Sequence, residues 1–127
     1  MNNLLHADIT EKIIGCAFEV HNVLGGGFLE KVYQKAMIIE LSNKQLHVAH
    51  EVETDIYYKN SPKPIGYCRA DLLVNDVVLI ELKANPELEE AHIAQTLNYM
   101  RVFKMSVGIL ICFGGKSVQF KRLVLNR

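Results

Sequence analysis

Asp71 and Glu81 are two carboxylates with nine residues between them, and Lys83 follows Glu81 after one more residue. Carboxylates are hard oxygen donors of the kind that hold a magnesium ion, with manganese as a substitute, and the backbone carbonyl of Leu82 offers a further oxygen. A lysine two positions beyond a strand glutamate lies on the same face and brings its ammonium into the same space. Together these groups suit metal-assisted hydrolysis of a phosphodiester. The cation would neutralise developing negative charge and lower the pKa of a bound water, while the ammonium orients that water or stabilises the transition state. The same side chains also admit a plainer account, a partly buried ion-pair network near a strand end. The short D…ExK pattern leaves both open.

The element that must position them is the stretch 66–83, GYCRADLLVNDVVLIELK. It reads as two short apolar strands, 65–74 and 77–83, joined by a turn at Asn75-Asp76. On the second strand Val77, Leu79, Glu81 and Lys83 share one face, and Val78, Ile80 and Leu82 the other. Two acids among so many apolar residues repel each other and resist desolvation unless a cation joins them. The apolar density predicts that both faces are covered.

Upstream, residues 8–24 form a helix with an Asp8/Glu11 capping-box pattern and a stop at Gly25-Gly26-Gly27. Its stripe is Ile13, Ala17, Val20 and Leu24, flanked by Ile14 and Phe18, with His21 at the edge as a structural residue. A second helix covers 28–41, where Glu30 shares a face with Tyr33, Met37 and Leu41. Glu30 is either a first-turn glutamate favoured by the helix dipole or a carboxylate reaching toward the strand-borne pair. The triple glycine lacks a preceding strand and a following Lys-Ser/Thr, so it is no phosphate loop.

A strand is expected over 47–58, with Glu51, Glu53 and Asp55 on a solvated face, then a proline-containing loop at 60–64. Asn85-Pro86 starts a third helix, with Ile93, Leu97 and Met100 in its core stripe and Gln95 and Tyr99 one turn apart on an adjacent face. Strands at 107–113 and 118–125 complete the order α-α-β-β-β-α-β-β, an α/β fold with a helix-covered mixed sheet.

The 127 residues suit one domain, 1–127, with a single core. Cys16, Cys68 and Cys112 are isolated in apolar segments and are expected to be reduced and buried. The apolar runs are too short to span a bilayer and no signal pattern is visible, so a cytoplasmic protein without membrane attachment is expected. Formal net charge is zero, which argues against simple electrostatic gripping of nucleic acid. The distribution is uneven, however. Residues 91–127 carry six bases (Arg101, Lys104, Lys116, Lys121, Arg122 and Arg127) and no acid, which permits a basic surface beside an acidic site.

GFLEKVY at 27–33 matches the pattern of the GxxExxY family, which is placed in the PD-(D/E)XK, or restriction-endonuclease-like, nuclease superfamily. The resemblance runs from about Leu4 to Leu125 and takes in GYCRAD at 66–71, ELK at 81–83 and QTLNY at 95–99. Ala70-Asp71 replaces the Pro-Asp of the superfamily name and leaves the carboxylate intact. What the resemblance implies is a restriction-endonuclease-like fold and a Mg2+-dependent centre of Glu30, Asp71, Glu81 and Lys83, with Glu30 meeting the metal directly or through water. It also implies a Q-x-x-x-Y pair, Gln95 and Tyr99, on the substrate side. The implied activity is cleavage of nucleic acid, DNA by preference. Separately, a small domain of neutral total charge has limited area for gripping a duplex, so a homodimer or a place in a larger assembly is expected. The rival expectation is a non-enzymatic nucleic-acid-binding or protein-interaction module that keeps the fold. A carbohydrate hydrolase fits less well, since the chain has no tryptophan and Lys83 would be unexplained.

Overall fold

Asn75 and Asp76 both take positive φ, 52° and 56°, and so close the tight hairpin that their residue types favour. Asn75 also ties the turn to the preceding chain: its side chain accepts from the His47 N–H (2.8 Å) and its own N–H donates to the His47 carbonyl (2.8 Å). Around this hairpin the computed structural model describes residues 5–126. Leu4, where the resemblance begins, and Arg127, last of the C-terminal bases, lie outside the described residues. The elements are α1 (Ala7–Leu24), α2 (Glu30–Asn43), β1 (Val48–Ile56), β2 (Gly66–Val74), β3 (Val78–Lys83), α3 (Glu90–Phe103), β4 (Val107–Cys112) and β5 (Gln119–Val124). Their order is the expected one, and the fold is of the restriction-endonuclease-like α/β kind.

The sheet runs β1-β2-β3-β4-β5. Every neighbour pair is antiparallel except β3 and β4, which lie parallel and are joined through α3. A parallel connection needs such a crossover element, and its strands are covered on both faces. All six residues of β4 are buried accordingly. The α1 and α2 side chains Ile13, Ala17, Val20, Met37 and Leu41 pack on Leu72, Val78, Ile80 and Ile109. On the opposite face Met100 of α3 packs with Ala70, Leu73, Leu79 and Leu123. The three cysteines are free and buried, as expected.

The sheet forks near its middle. Pairing of β2 with β3 extends from Val74–Val78 only to Leu72–Ile80. Beyond that point β2 stays with β1 to the Gly66–Ile56 pair, and β3 stays with β4 to Lys83–Cys112. The next pair in register would be Asp71 and Glu81. Like charges directly opposite destabilise an antiparallel ladder, and the ladder ends there. Side-chain alternation also slips by one at this level. Ala70 and Leu73, three apart, face the same core, as do Ala49 and Val52 on β1. The β1 slip centres on Glu51, whose φ is 51°, a left-handed conformation uncommon for a non-glycine residue.

Four local expectations need correction. The Asp8/Glu11 capping box does not form: His6 precedes α1 in a left-handed conformation with no side-chain cap. Phe18 is exposed, packing edge-on against Phe120, while Cys16 takes a core position. Asn85-Pro86 does not start α3. The Asn85 side-chain amide donates to the Glu87 carbonyl (2.6 Å), closing a turn, and the helix begins at Glu90. Finally, Glu51 is not simply solvated, since it is half-buried between Lys31 and Arg69.

Candidate active centre

The mouth of the fork is filled by the two carboxylates. Asp71 Oδ2 accepts from the Leu82 N–H (2.7 Å), and Glu81 Oε2 accepts from the Asp71 N–H (2.9 Å). Each side chain thus takes up a backbone donor of the opposite strand where the ladder has parted, keeping the splayed backbone satisfied. Glu81 is 3% exposed and Asp71 half-buried. Burial, then the neighbouring Asp71 charge, pushes the Glu81 carboxyl up to about 8. Burial foremost, then Glu30, raises Asp71 as well, against the lowering effect of the Leu82 hydrogen bond. Two buried acids that resist joint ionisation are poised to gain from a cation.

Lys83 closes β3 and donates from Nζ to Gln95 Oε1 on α3 (3.0 Å). Tyr99 follows one turn later, partly buried. Burial raises its hydroxyl pKa first, and the charges of Glu81, Cys68 and Asp71 raise it further, which places Tyr99 within electrostatic reach of the pair. Gln95 and Tyr99 therefore address the strand-borne centre from the α3 side.

Glu30 approaches from the α2 side. It is the first residue of its helix, exposed, and shares a cleft of about 120 Å³ with Asp71, Leu82 and Gln34. The local sequence explains why it stands there. Gly27 has φ 104°, which suits glycine and turns the chain into α2. Tyr33 is fully buried, stacks on Phe113 (centroids 4.5 Å apart) and donates its hydroxyl to the Gly25 carbonyl (2.6 Å). The glycine, glutamate and tyrosine spaced at three thus form one device that holds the glutamate at a helix start. His21 braces the same corner by donating from Nε2 to the Gly115 carbonyl (2.9 Å), a structural role as expected.

Four residues of the centre's surroundings escaped the sequence reading. Gln34 donates to the Asp71 carbonyl (3.0 Å), and its spacing of four from Glu30 was the available signal. Arg69, two before Asp71, was accessible from strand period. It pairs with Glu53 (2.8 Å) and Glu51 (3.8 Å), and Lys31 also pairs with Glu51. Nothing in the residue types announces the left-handed Glu51.

Among the described residues no three His, Cys, Asp or Glu side chains gather into a ready-made metal cage. The donors present fit a different kind of ion. Two hard carboxylates, each with one oxygen engaged by a backbone N–H, suit a cation that keeps several waters, as magnesium does.

The family model of the PD-(D/E)XK nuclease superfamily matches residues 7–123. Among solved structures, the crystal structure of SSO0001 shares the fold over 77% of this chain, with a TM-score of 0.63 and 19% sequence identity. This chain spans 51% of that protein's length, about half. No curated protein matches the sequence.

Proposed function

The chain belongs to the PD-(D/E)XK nuclease superfamily, and from that premise we propose that it hydrolyses phosphodiester bonds of nucleic acid, DNA by preference, with Mg2+ as cofactor. The observation that carries this reading is the pair of carboxylates crossing the fork, with Lys83 held beside them by Gln95. A purely structural ion-pair network would place Lys83 on a carboxylate, whereas its ammonium is given to a neutral amide.

In this proposal Asp71 and Glu81 hold the cation, the Leu82 carbonyl adds a ligand, and Glu30 acts through water from across the cleft. A bound divalent ion supplies charge neutralisation and a more acidic water. Lys83, oriented by Gln95, points a donor at the attacking oxygen and at the charge that develops on the phosphate. Tyr99 meets substrate from the α3 side, where Gln95 serves to hold Lys83. The β2–β3 fork keeps the two carboxylates at fixed separation, so positioning is built in before substrate arrives.

Calorimetric titration of Mn2+ into wild-type protein and Asp71→Asn tests the metal assignment. The expected result is one weak site whose affinity falls at least about tenfold in the variant, as loss of one of two charged ligands demands. Unchanged affinity in a folded Asp71→Asn protein would place the ion elsewhere. No helix among the described residues is long and apolar enough to cross a membrane. A single domain working in the cytoplasm is part of the same proposal.

A further inference from the structure

Past the fork, β1 and β2 continue as a two-stranded ribbon. Its β2 edge has no strand partner from residue 66 to 71 among the described residues. From Asp71 the ribbon leads five residues, ~17 Å at the usual strand rise, to the loop 57–65. Asp71 stands opposite Glu81, so the ribbon passes the end of β3 at Lys83 and projects from the edge of the centre.

The surface of this arm is unusual for an otherwise balanced chain. Tyr57, Tyr58 and Tyr67 are 56%, 59% and 63% exposed, and Ile65 beside them 66%. Residues 56–70 contain Lys59, Lys63 and Arg69 and no acid. The acids of the ribbon, Glu53 and Asp55, belong to β1, and Glu53 is tied to Arg69. From residue 56 to 70 the chain itself therefore carries rings and cations without an acid, while across the ribbon Asp55 stands opposite Tyr67 and Glu53 opposite Arg69.

The tip is also pre-shaped. The Ser61 N–H donates to the Tyr58 carbonyl (3.0 Å), and its hydroxyl donates to the Lys63 carbonyl (2.9 Å). Pro62 and Pro64 restrict the turn further, and Lys59 Nζ lies over the Tyr58 ring at 5.3 Å. A loop turn held in this way loses little freedom on binding.

We propose that this arm is a single-strand-binding element, and that the preferred substrate carries unpaired nucleotides next to the scissile bond. The idea rests on the hydrolase reading above and deepens it. Flat exposed aromatics match the faces of unpaired bases, which every nucleotide offers, while Lys59 and Lys63 match the phosphates between them. A duplex hides those faces, and a chain of zero net charge is poorly equipped to grip a duplex by phosphates alone. Tyr67 and Arg69 continue the path from the tip to Asp71.

The test is fluorescence anisotropy with labelled oligothymidylate and a blunt duplex of equal length, in EDTA, so that binding is read without turnover. Wild type should bind the single strand at least about tenfold more tightly, the effect of one stacked base. Tyr57→Ser, Tyr58→Ser and Tyr67→Ser combined should abolish that preference, and the corresponding triple phenylalanine variant should retain it. Equal single-strand affinity in the serine variant, or tighter duplex binding by wild type, overturns the proposal and leaves the arm to a protein partner. Failure of the hydrolase reading is distinguishable: the wild type would then bind through the arm yet cleave nothing when Mg2+ is added. Conversely, a serine variant that cleaves dilute single strands at the wild-type rate sinks the arm and spares the hydrolase.

Discussion

Glu81 is an acid whose burial beside Asp71 favours its neutral form, and that has a measurable consequence. Its carboxyl is raised from 4.5 to about 8 in the folded chain, so between those values the folded state holds a proton that the unfolded state has released. Stability from this group is full below about pH 4.5 and is lost as pH rises through about 8. In EDTA the wild-type Tm should fall from pH 5 to pH 9 more steeply than that of Glu81→Gln, and Mg2+ at the alkaline end should restore wild type alone. Parallel pH profiles for the two proteins would contradict the buried pair. Gln95 is a positioning residue on this account. Gln95→Ala should lower kcat about tenfold or more with little change in KM, because it frees Lys83 from its one fixed direction. An equal fall in kcat/KM carried wholly by KM would assign Gln95 to substrate binding instead. Glu81 and Lys83 were legible from sequence because strand period aligns them, and Asp71 because the Asn75-Asp76 turn folds its strand back beside theirs. Glu51 was not, since a glutamate in left-handed backbone is held by Lys31 and Arg69, which lie elsewhere in the chain.

At the scale of elements, the loop that follows β3 is locked against the loop that follows β4. A Cβ on Gly114 would lie 2.1 Å from the Ala84 carbonyl oxygen and 2.6 Å from the Asn85 carbonyl carbon. Both are backbone, so Gly114→Ala must shift the chain immediately after Lys83. We expect a loss of about 1–3 kcal/mol in denaturant unfolding, together with lowered activity. Full stability in that variant would mean the two loops are not in contact. Tyr33→Phe removes the hydroxyl bond to Gly25 and should cost about 1 kcal/mol, loosening the helix start that carries Glu30. Element order and the Asn75-Asp76 hairpin could be read in advance, because periodicity and turn residues are local signals. The start of α3 could not, because the Asn85 side chain satisfies backbone that Pro86 was expected to lead into a helix. The fork likewise depends on which acids end up opposite each other, a matter of register rather than of residue type.

Over the whole molecule, the charge separation along the chain gives a zero total but not an even one. We propose that two copies associate to lengthen the surface offered to nucleic acid, since one 14.4 kDa domain has limited area for the purpose. Light scattering should then report about twice that mass, and a constant 14.4 kDa particle across the working range would exclude a homodimer. Catalysis itself rests on the carboxylate pair and Lys83. The measurement that reaches it most directly is cleavage of labelled single-stranded DNA, duplex DNA, branched DNA and RNA in Mg2+, Mn2+ or EDTA. Wild type should be compared with folded Asp71→Ala and Lys83→Ala proteins. Wild type should give a metal-dependent product, strongest on a DNA substrate with unpaired nucleotides, that disappears in EDTA and in both variants. Cleavage that survives both substitutions, or no cleavage of any substrate by metal-loaded wild type, would contradict catalysis by these residues.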